Sequence, residues 1–349
     1  MRNKTLLITG AGGWLGNSIN IILAERINKL PYKKIILSSL RKSEIISQSI
    51  FKDLCKSEIN FEIIQGNLKD DQFYKNLYSK VNRTEPLEVV YASSLIHPNK
   101  SSDFYKVNNG MLKKFVKSIS TYNLKRFIYI SSNSPHGFNN NLIPFDEESK
   151  YKPIGNYGVS KMKAELFLLN YFHNNELTIL KAPWFHGLGM PERQKEFIRK
   201  TCHGFFPLVF PGINRRSIVN TIDLSKAIFN ILESKEYYSK YWICEKNSIS
   251  MREYLNLIQD SAFKQGFINF PRNRTFNKII LPPLTSLFFS KLDMLLQYFG
   301  IYSKYIHILG EIGMNIEATP ELYNGQFYEH QFEILEKTID DEVVEAFSN

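Results

Sequence analysis

Residues 4–16, KTLLITGAGGWLG, run from a short apolar stretch straight into a glycine cluster, and the following SINIILAERINKL carries an apolar helical pattern. Strand, glycine turn and helix in that order predict the first unit of a parallel sheet with a dinucleotide site at the turn. Gly10, Gly13 and Gly16 recur every three residues. The first suits the tight turn, the second lets backbone approach a pyrophosphate, and the third lets helix and sheet pack closely. The first helical residues, Trp14 and Leu15, would turn their amides towards that anion. Further apolar runs at 33–39, 61–66, 87–94, 125–132 and 177–183 are separated by stretches long enough for crossover helices. The predicted fold class is α/β, a Rossmann-type doubly wound parallel sheet with a smaller C-terminal substrate lobe. Residues 1–183 are assigned mainly to the nucleotide-binding domain and 184–349 mainly to the lobe, with segments near 215–245 returning to the first domain.

The chain has 349 residues, 43% hydrophobic and 22% charged, a globular composition. Its net charge of +10 is uneven: residues 317–349 hold nine acidic residues and one lysine, leaving +18 on residues 1–316. That basic body suits nucleotides, phosphorylated substrates or an anionic membrane surface, or is a solvated lysine-rich exterior. No compact nucleic-acid motif accompanies it, so no nucleic-acid partner is predicted. Cys55, Cys202 and Cys244 are far apart, and His97, His136, His186 and His203 form no ligand pattern, so neither a disulfide framework nor a metal site is expected. A cytoplasmic location fits this cysteine usage and an N-terminus without a signal-peptide pattern. The apolar stretches at 279–289 and 292–300 are too short to cross a bilayer; they read as packed core or a dimer surface, with peripheral membrane contact as the alternative.

The end of the second strand bears on the cofactor. An acidic residue there would bind the ribose of NAD, but this chain reads Ser38-Ser39-Leu40-Arg41-Lys42. Ser38 and Arg41 could accommodate a ribose phosphate, so NADP(H) is favoured, with NAD(H) as the alternative.

The stretch NYGVSK at 156–161 places Tyr157 and Lys161 at i,i+4, on one side of a helix. A nearby ammonium favours the phenolate and eases proton exchange with an alcohol or ketone. Together with the glycine turn and the strand ending Ile130-Ser131-Ser132, this pair resembles the extended short-chain dehydrogenase/reductase family, in its epimerase/dehydratase or 3β-hydroxysteroid dehydrogenase-like branch. The resemblance implies that Ser132 binds the substrate oxygen, Tyr157 exchanges the proton, and Lys161 lowers the phenol pKa and holds ribose. It implies support from Asn108 in YKVNNGM. It also implies cofactor contacts from Ala92-Ser93-Ser94, Asn67, Leu68, Ser131, Pro183 and Phe185, and a homodimer.

The expected reaction is interconversion of a secondary alcohol and a ketone on a small-molecule substrate. Asn133 and Ser134 follow Ser132 where dehydratases of the family often carry an acid pair, which disfavours dehydration. Trp184 stands where sugar-nucleotide epimerases commonly have asparagine, so the Pro183-Trp184-Phe185 cluster suggests an apolar or hydroxy/keto-acid substrate. Ser134, Trp184, His186 and Arg216 are the further candidate substrate contacts. A nucleotide-sugar 4-epimerase and a noncatalytic dinucleotide-binding scaffold are the other readings.

Overall fold

A computed structural model describes residues 2–96, 98–139, 143–172, 176–234, 240–269, 277–319 and 332–348. The expectation for His97, and the part of the proline-rich region at 270–276, lie outside the described residues. Seven strands form one sheet: β1 (Lys4–Thr9), β2 (Tyr32–Ser39), β3 (Asn60–Gln65), β4 (Leu87–Tyr91), β5 (Leu124–Ile130), β6 (Leu177–Lys181) and β7 (Lys240–Trp242). Their order is 3-2-1-4-5-6-7 and every pairing is parallel. The fold is the doubly wound α/β sheet that the sequence predicts.

Strand residues alternate between two apolar layers. Leu6, Ile8, Ile35, Leu37 and Val90 pack against helices Trp14–Arg26 and Thr221–Glu233, while Leu7, Ile36, Val89 and Tyr91 face helices Asp71–Lys80, Leu112–Ser118 and Gly155–Tyr171. Burial on both faces explains why the strands read as continuous apolar runs. Helix Trp14–Arg26 buries Leu15, Ile19, Ile22 and Leu23, about 2 kcal/mol of transfer free energy each. Ser18 donates to Thr221 across the layer at 2.8 Å.

The C-terminal region builds a separate apolar cluster from helices Glu192–Cys202, Met251–Lys264 and Phe332–Phe347, with Ile198, Tyr254, Ile258 and Val343 at its centre. The helix expected after NSIS starts at Met251, and a reciprocal cap holds its end: Glu253 N donates to Ser250 Oγ at 3.2 Å and Ser250 N to Glu253 Oε2 at 2.9 Å. A strap at 315–319 threads between the two halves. Asn139 N and Phe145 N donate to Asn315 O and Glu317 O at 3.0 and 2.8 Å, and Ser217 N donates to Ile316 O at 2.8 Å.

The 285–299 region is helical as expected, Thr285–Tyr298, but it is not packed core. Leu284, Leu287, Phe288, Met294, Leu295 and Tyr298 are exposed. Among the described residues no helix is long and apolar enough to cross a membrane.

Candidate active site

The glycine turn lies at the carboxyl ends of β1 and β4, where the strand order reverses. Gly10 takes φ +73°, and a side chain on Gly16 would collide with the Gly10 carbonyl oxygen. Only glycine lets helix Trp14–Arg26 start so close to the turn. Gly13 is its N-cap, no side chain caps that end, and its first turn carries no acid. The uncapped amides and the narrow cradle fit a pyrophosphate. Leu15 is buried in the core and can offer only its backbone, whereas the Trp14 ring lines the cleft and donates to Leu188 O at 3.0 Å.

The backbones of Ala92 and Ser93 lie against Gly10. Ser38 is buried and its carbonyl accepts from Ala11 N at 3.0 Å. Asn67 Oδ1 caps Lys69 N at 3.0 Å, and the carbonyl of buried Leu68 accepts from the Tyr74 hydroxyl at 2.7 Å. Arg41 is exposed. Beside it the structure supplies an acid that the sequence reading passes over. Glu44 folds back so that its carboxylate accepts from Ser39 Oγ and, at 3.3 Å, from Arg41 N. A side chain on Gly12 would meet Glu44 Cβ at 2.6 Å.

Helix Gly155–Tyr171 brings the acid–base candidates to the end of β5. A Cβ on Gly158 would come within 2.5 Å of Ser134 O, so this glycine seats the helix against the loop after Ser132. The hydroxyls of Ser132 and Ser94 face the Tyr157 phenol and act on its acidity. Ser132 Oγ also lies 3.1 Å from Ser134 Oγ and accepts from Ser134 N at 3.2 Å. Burial raises the phenol above its usual value, while Ser132, Ser94 and the Arg193 guanidinium pull it down.

Lys161 is placed differently from the expectation that it acts on the phenol. Its buried Nζ donates to Ile130 O at 2.9 Å and sits 4.9 Å above the Tyr129 ring. Burial lowers its pKa to about 7 against the opposing pull of Glu165, one turn further along the helix. Glu165, fully buried, accepts from Ser131 Oγ and, at 2.7 Å, from the Tyr151 hydroxyl. Asn108, in the wide helical turn Tyr105–Met111, is a bracket: Oδ1 accepts from Leu95 N at 2.8 Å and Ser94 Oγ at 3.2 Å, and Nδ2 donates to Leu95 O and Ser160 Oγ.

A cleft of about 280 Å³ opens over Tyr157. Ser131, Ser132, Ser134, Pro183, Trp184 and Phe185 line one side, and Arg193, Arg216, His307 and Glu311 of the C-terminal region line the other. Arg216 is buried, donates to Glu311 O and lies 5.4 Å over the Trp184 ring. Its Nε has no hydrogen-bond partner among the described residues. Arg193, absent from the sequence candidates, lines the cleft and supplies a positive charge that pulls the phenol's pKa down. His186 is not on the cleft. Its ring is buried between Glu245, at 3.2 Å, and Glu342, at 3.6 Å. Burial acts to lower its pKa, and the two carboxylates outweigh that and raise it to about 9. Among the described residues no cluster of metal-ligating side chains is present.

A parallel sheet with a glycine-turn nucleotide cradle and a serine–tyrosine–lysine constellation at its carboxyl edge define an extended short-chain dehydrogenase/reductase. Residues 6–243 match the NAD dependent epimerase/dehydratase family, and the chain belongs to that family. It is 29% identical over 329 residues to the uncharacterised protein y4nL of Sinorhizobium fredii, covering 89% of this chain and 86% of that one. It is 26% identical over 260 residues to the dTDP-D-glucose 4,6-dehydratase of Dictyostelium discoideum, covering 68% and 57%. Among solved structures, a mutant UDP-glucuronic acid 4-epimerase of Bacillus cereus, in complex with a fluorinated UDP-glucuronic acid and NAD, superposes with a TM-score of 0.68 at 14% identity. That match covers 98% of this chain and 100% of the other.

Proposed function

We propose that the protein reversibly oxidises a secondary alcohol on an anionic, sugar-type small molecule with NAD, and that its net reaction is epimerisation of a nucleotide sugar. The observation that carries this reading is the Tyr157 phenol lining the same cleft as Ser132 and Arg193, which together with Ser94 favour its ionised form. Ser132 orients the substrate oxygen and Tyr157 takes or returns its proton. Arg193 stabilises the phenolate, and Arg216, with an unpaired buried Nε, receives a phosphate or carboxylate of the substrate. Asn133 and Ser134 supply no carboxyl group beside Ser132, which argues against dehydration.

The glycine turn from Gly10 to Leu15 would hold the pyrophosphate, and Ser38, Asn67, Leu68, Ala92, Ser93, Pro183 and Phe185 would flank the rest of the dinucleotide. Lys161 and Ser131 would face its nicotinamide half. The nicotinamide, when bound, supplies a reversible hydride acceptor. Glu44 favours NAD over the NADP(H) suggested by Arg41, because its carboxylate stands beside the end of β2 and would repel a ribose phosphate.

A second reading is net alcohol/ketone interconversion on a more apolar or hydroxy/keto-acid substrate. It is favoured by the wall of Trp184, Phe197 and Phe206. Incubation with NAD(H) and a panel of UDP- and dTDP-sugars and ketones separates the two. Sugar interconversion without net change in nicotinamide absorbance supports the epimerase, and stoichiometric change supports the reductase. No turnover of either kind sinks both. Tyr157→Phe is expected to bind NAD normally and to lose at least about a hundredfold in turnover; a variant of normal activity removes Tyr157 from its role.

A further inference from the structure

Helix Thr285–Tyr298 is inside out. Its buried residues are Ser286, Ser290, Asp293 and Gln297, four polar side chains on one face, while Leu284, Phe288 and Tyr298 at 73, 62 and 84% exposure look outward. A helix on an aqueous surface shows the opposite arrangement. Hydrogen bonds hold the polar face inward. Ser286 Oγ donates to Leu309 O at 2.8 Å, and Asp293 Oδ2 is shared by Gln297 Nε2 at 2.7 Å and His307 Nδ1 at 2.8 Å. Gln297 Oε1 accepts from Asn156 N, next to Tyr157. Rolling the helix to hide its leucines would break the bonds to Leu309, His307 and Asn156, so the apolar face is fixed outward.

The surface continues beyond the helix. Ile279, Ile280, Phe299, Ile301 and Tyr305 are exposed on its flanks, and Phe210 N bonds to Leu281 O, adding a further exposed ring. Between residues 277 and 305 the basic residues are Lys278, Lys291 and Lys304, and the only acid is Asp293, which is buried. A broad apolar face, Lys278 and Lys291 beside it, exposed Tyr and Phe at one end and no exposed carboxylate between residues 277 and 305 match an anionic lipid surface. Lys304 pairs with Glu196 at 3.9 Å, and the half-buried Glu311 lines the cleft. We propose that helices Thr285–Tyr298 and Lys304–Glu311 form a monotopic membrane-docking hairpin, lying in the headgroup region of an anionic bilayer. Helix Lys304–Glu311 also lines the substrate cleft through His307 and Glu311, so docking sets the cleft beside the lipid.

Flotation of the full-length protein tests this without any assay of activity, so its result is independent of the reaction assigned above. Wild type is expected to float with phosphatidylcholine vesicles containing phosphatidylglycerol, and less with phosphatidylcholine alone. The double variant Phe288→Ser with Leu295→Ser is expected to lose flotation at least about tenfold with an unchanged melting curve, since both side chains are already in water. Lys291→Ala is expected to weaken binding to the anionic vesicles about fivefold and to leave neutral vesicles unaffected. Wild type that stays unbound to both vesicle types overturns the proposal. A dimer in sedimentation that the double variant converts to monomer, with no vesicle binding by either form, assigns the face to a second copy and also overturns it.

Discussion

Glu44 reaches back over the glycine turn because Gly12 has no side chain to block it. Its meaning for the cofactor is invisible in the run Ser38 to Lys42, where the residues that sequence alone would weigh are serines and cations. The reading of Ser132, Tyr157 and Lys161 is local: a strand end and one helical turn bring these positions near each other with no knowledge of the rest of the chain. Arg193, in the first turn of helix Glu192–Cys202, and Glu44, in the short helix Ser43–Ile46, reach the site because the chain leading into each helix sets where it starts, and no periodicity encodes that path. The placement of Lys161 over the Tyr129 ring, donating to Ile130 O, depends on how deeply the helix packs, which spacing does not specify. Glu44→Gln is expected to raise affinity for NADP(H) relative to NAD(H) about tenfold, ~1.4 kcal/mol, in a titration of both nucleotides. An equal change for both would remove Glu44 from the choice.

Elements were the most legible level. Six of the sheet's strands are visible as apolar runs; the inner ones are buried because both faces of a parallel sheet are covered, whereas the edge strand β3 is mostly half-buried. The seventh, Lys240–Trp242, is only three residues long and offers little pattern. Helix Met251–Lys264 announces its start in NSIS, since Ser250 and Glu253 satisfy each other's amides. Ser250→Ala is expected to cost about 1 kcal/mol, read as a lower urea midpoint with unchanged slope; no change would mean that packing alone fixes this end. Helix Thr285–Tyr298 is legible as a helix, but its pattern gives the angle between apolar and polar faces and not which of them meets the protein. That direction is decided by Leu309, His307 and Asn156, each distant in sequence or on another element.

Across the whole molecule, pH acts through His186, which joins the segment after β6 to the last helix by way of Glu245 and Glu342. Its pKa rises from 6.5 unfolded to about 9 folded, so its contribution is complete below pH 6.5 and is lost as pH climbs through 9. The melting-temperature gap between wild type and His186→Gln is therefore expected to narrow over that interval; a constant gap would show that the ring is held neutral. The strap at 315–319 has a mechanical corollary. It is stitched on one side to Asn139 and Phe145 and on the other to Arg215 and Ser217, whose neighbour Arg216 forms part of the cleft wall. Spreading the walls would tear several backbone hydrogen bonds at once, so the cleft behaves as a clasp already fastened rather than as a jaw. Small-angle scattering of the free and ligand-saturated protein should give the same radius of gyration, and the amides of Ile316 and Thr319 should be among the slowest to exchange with deuterium.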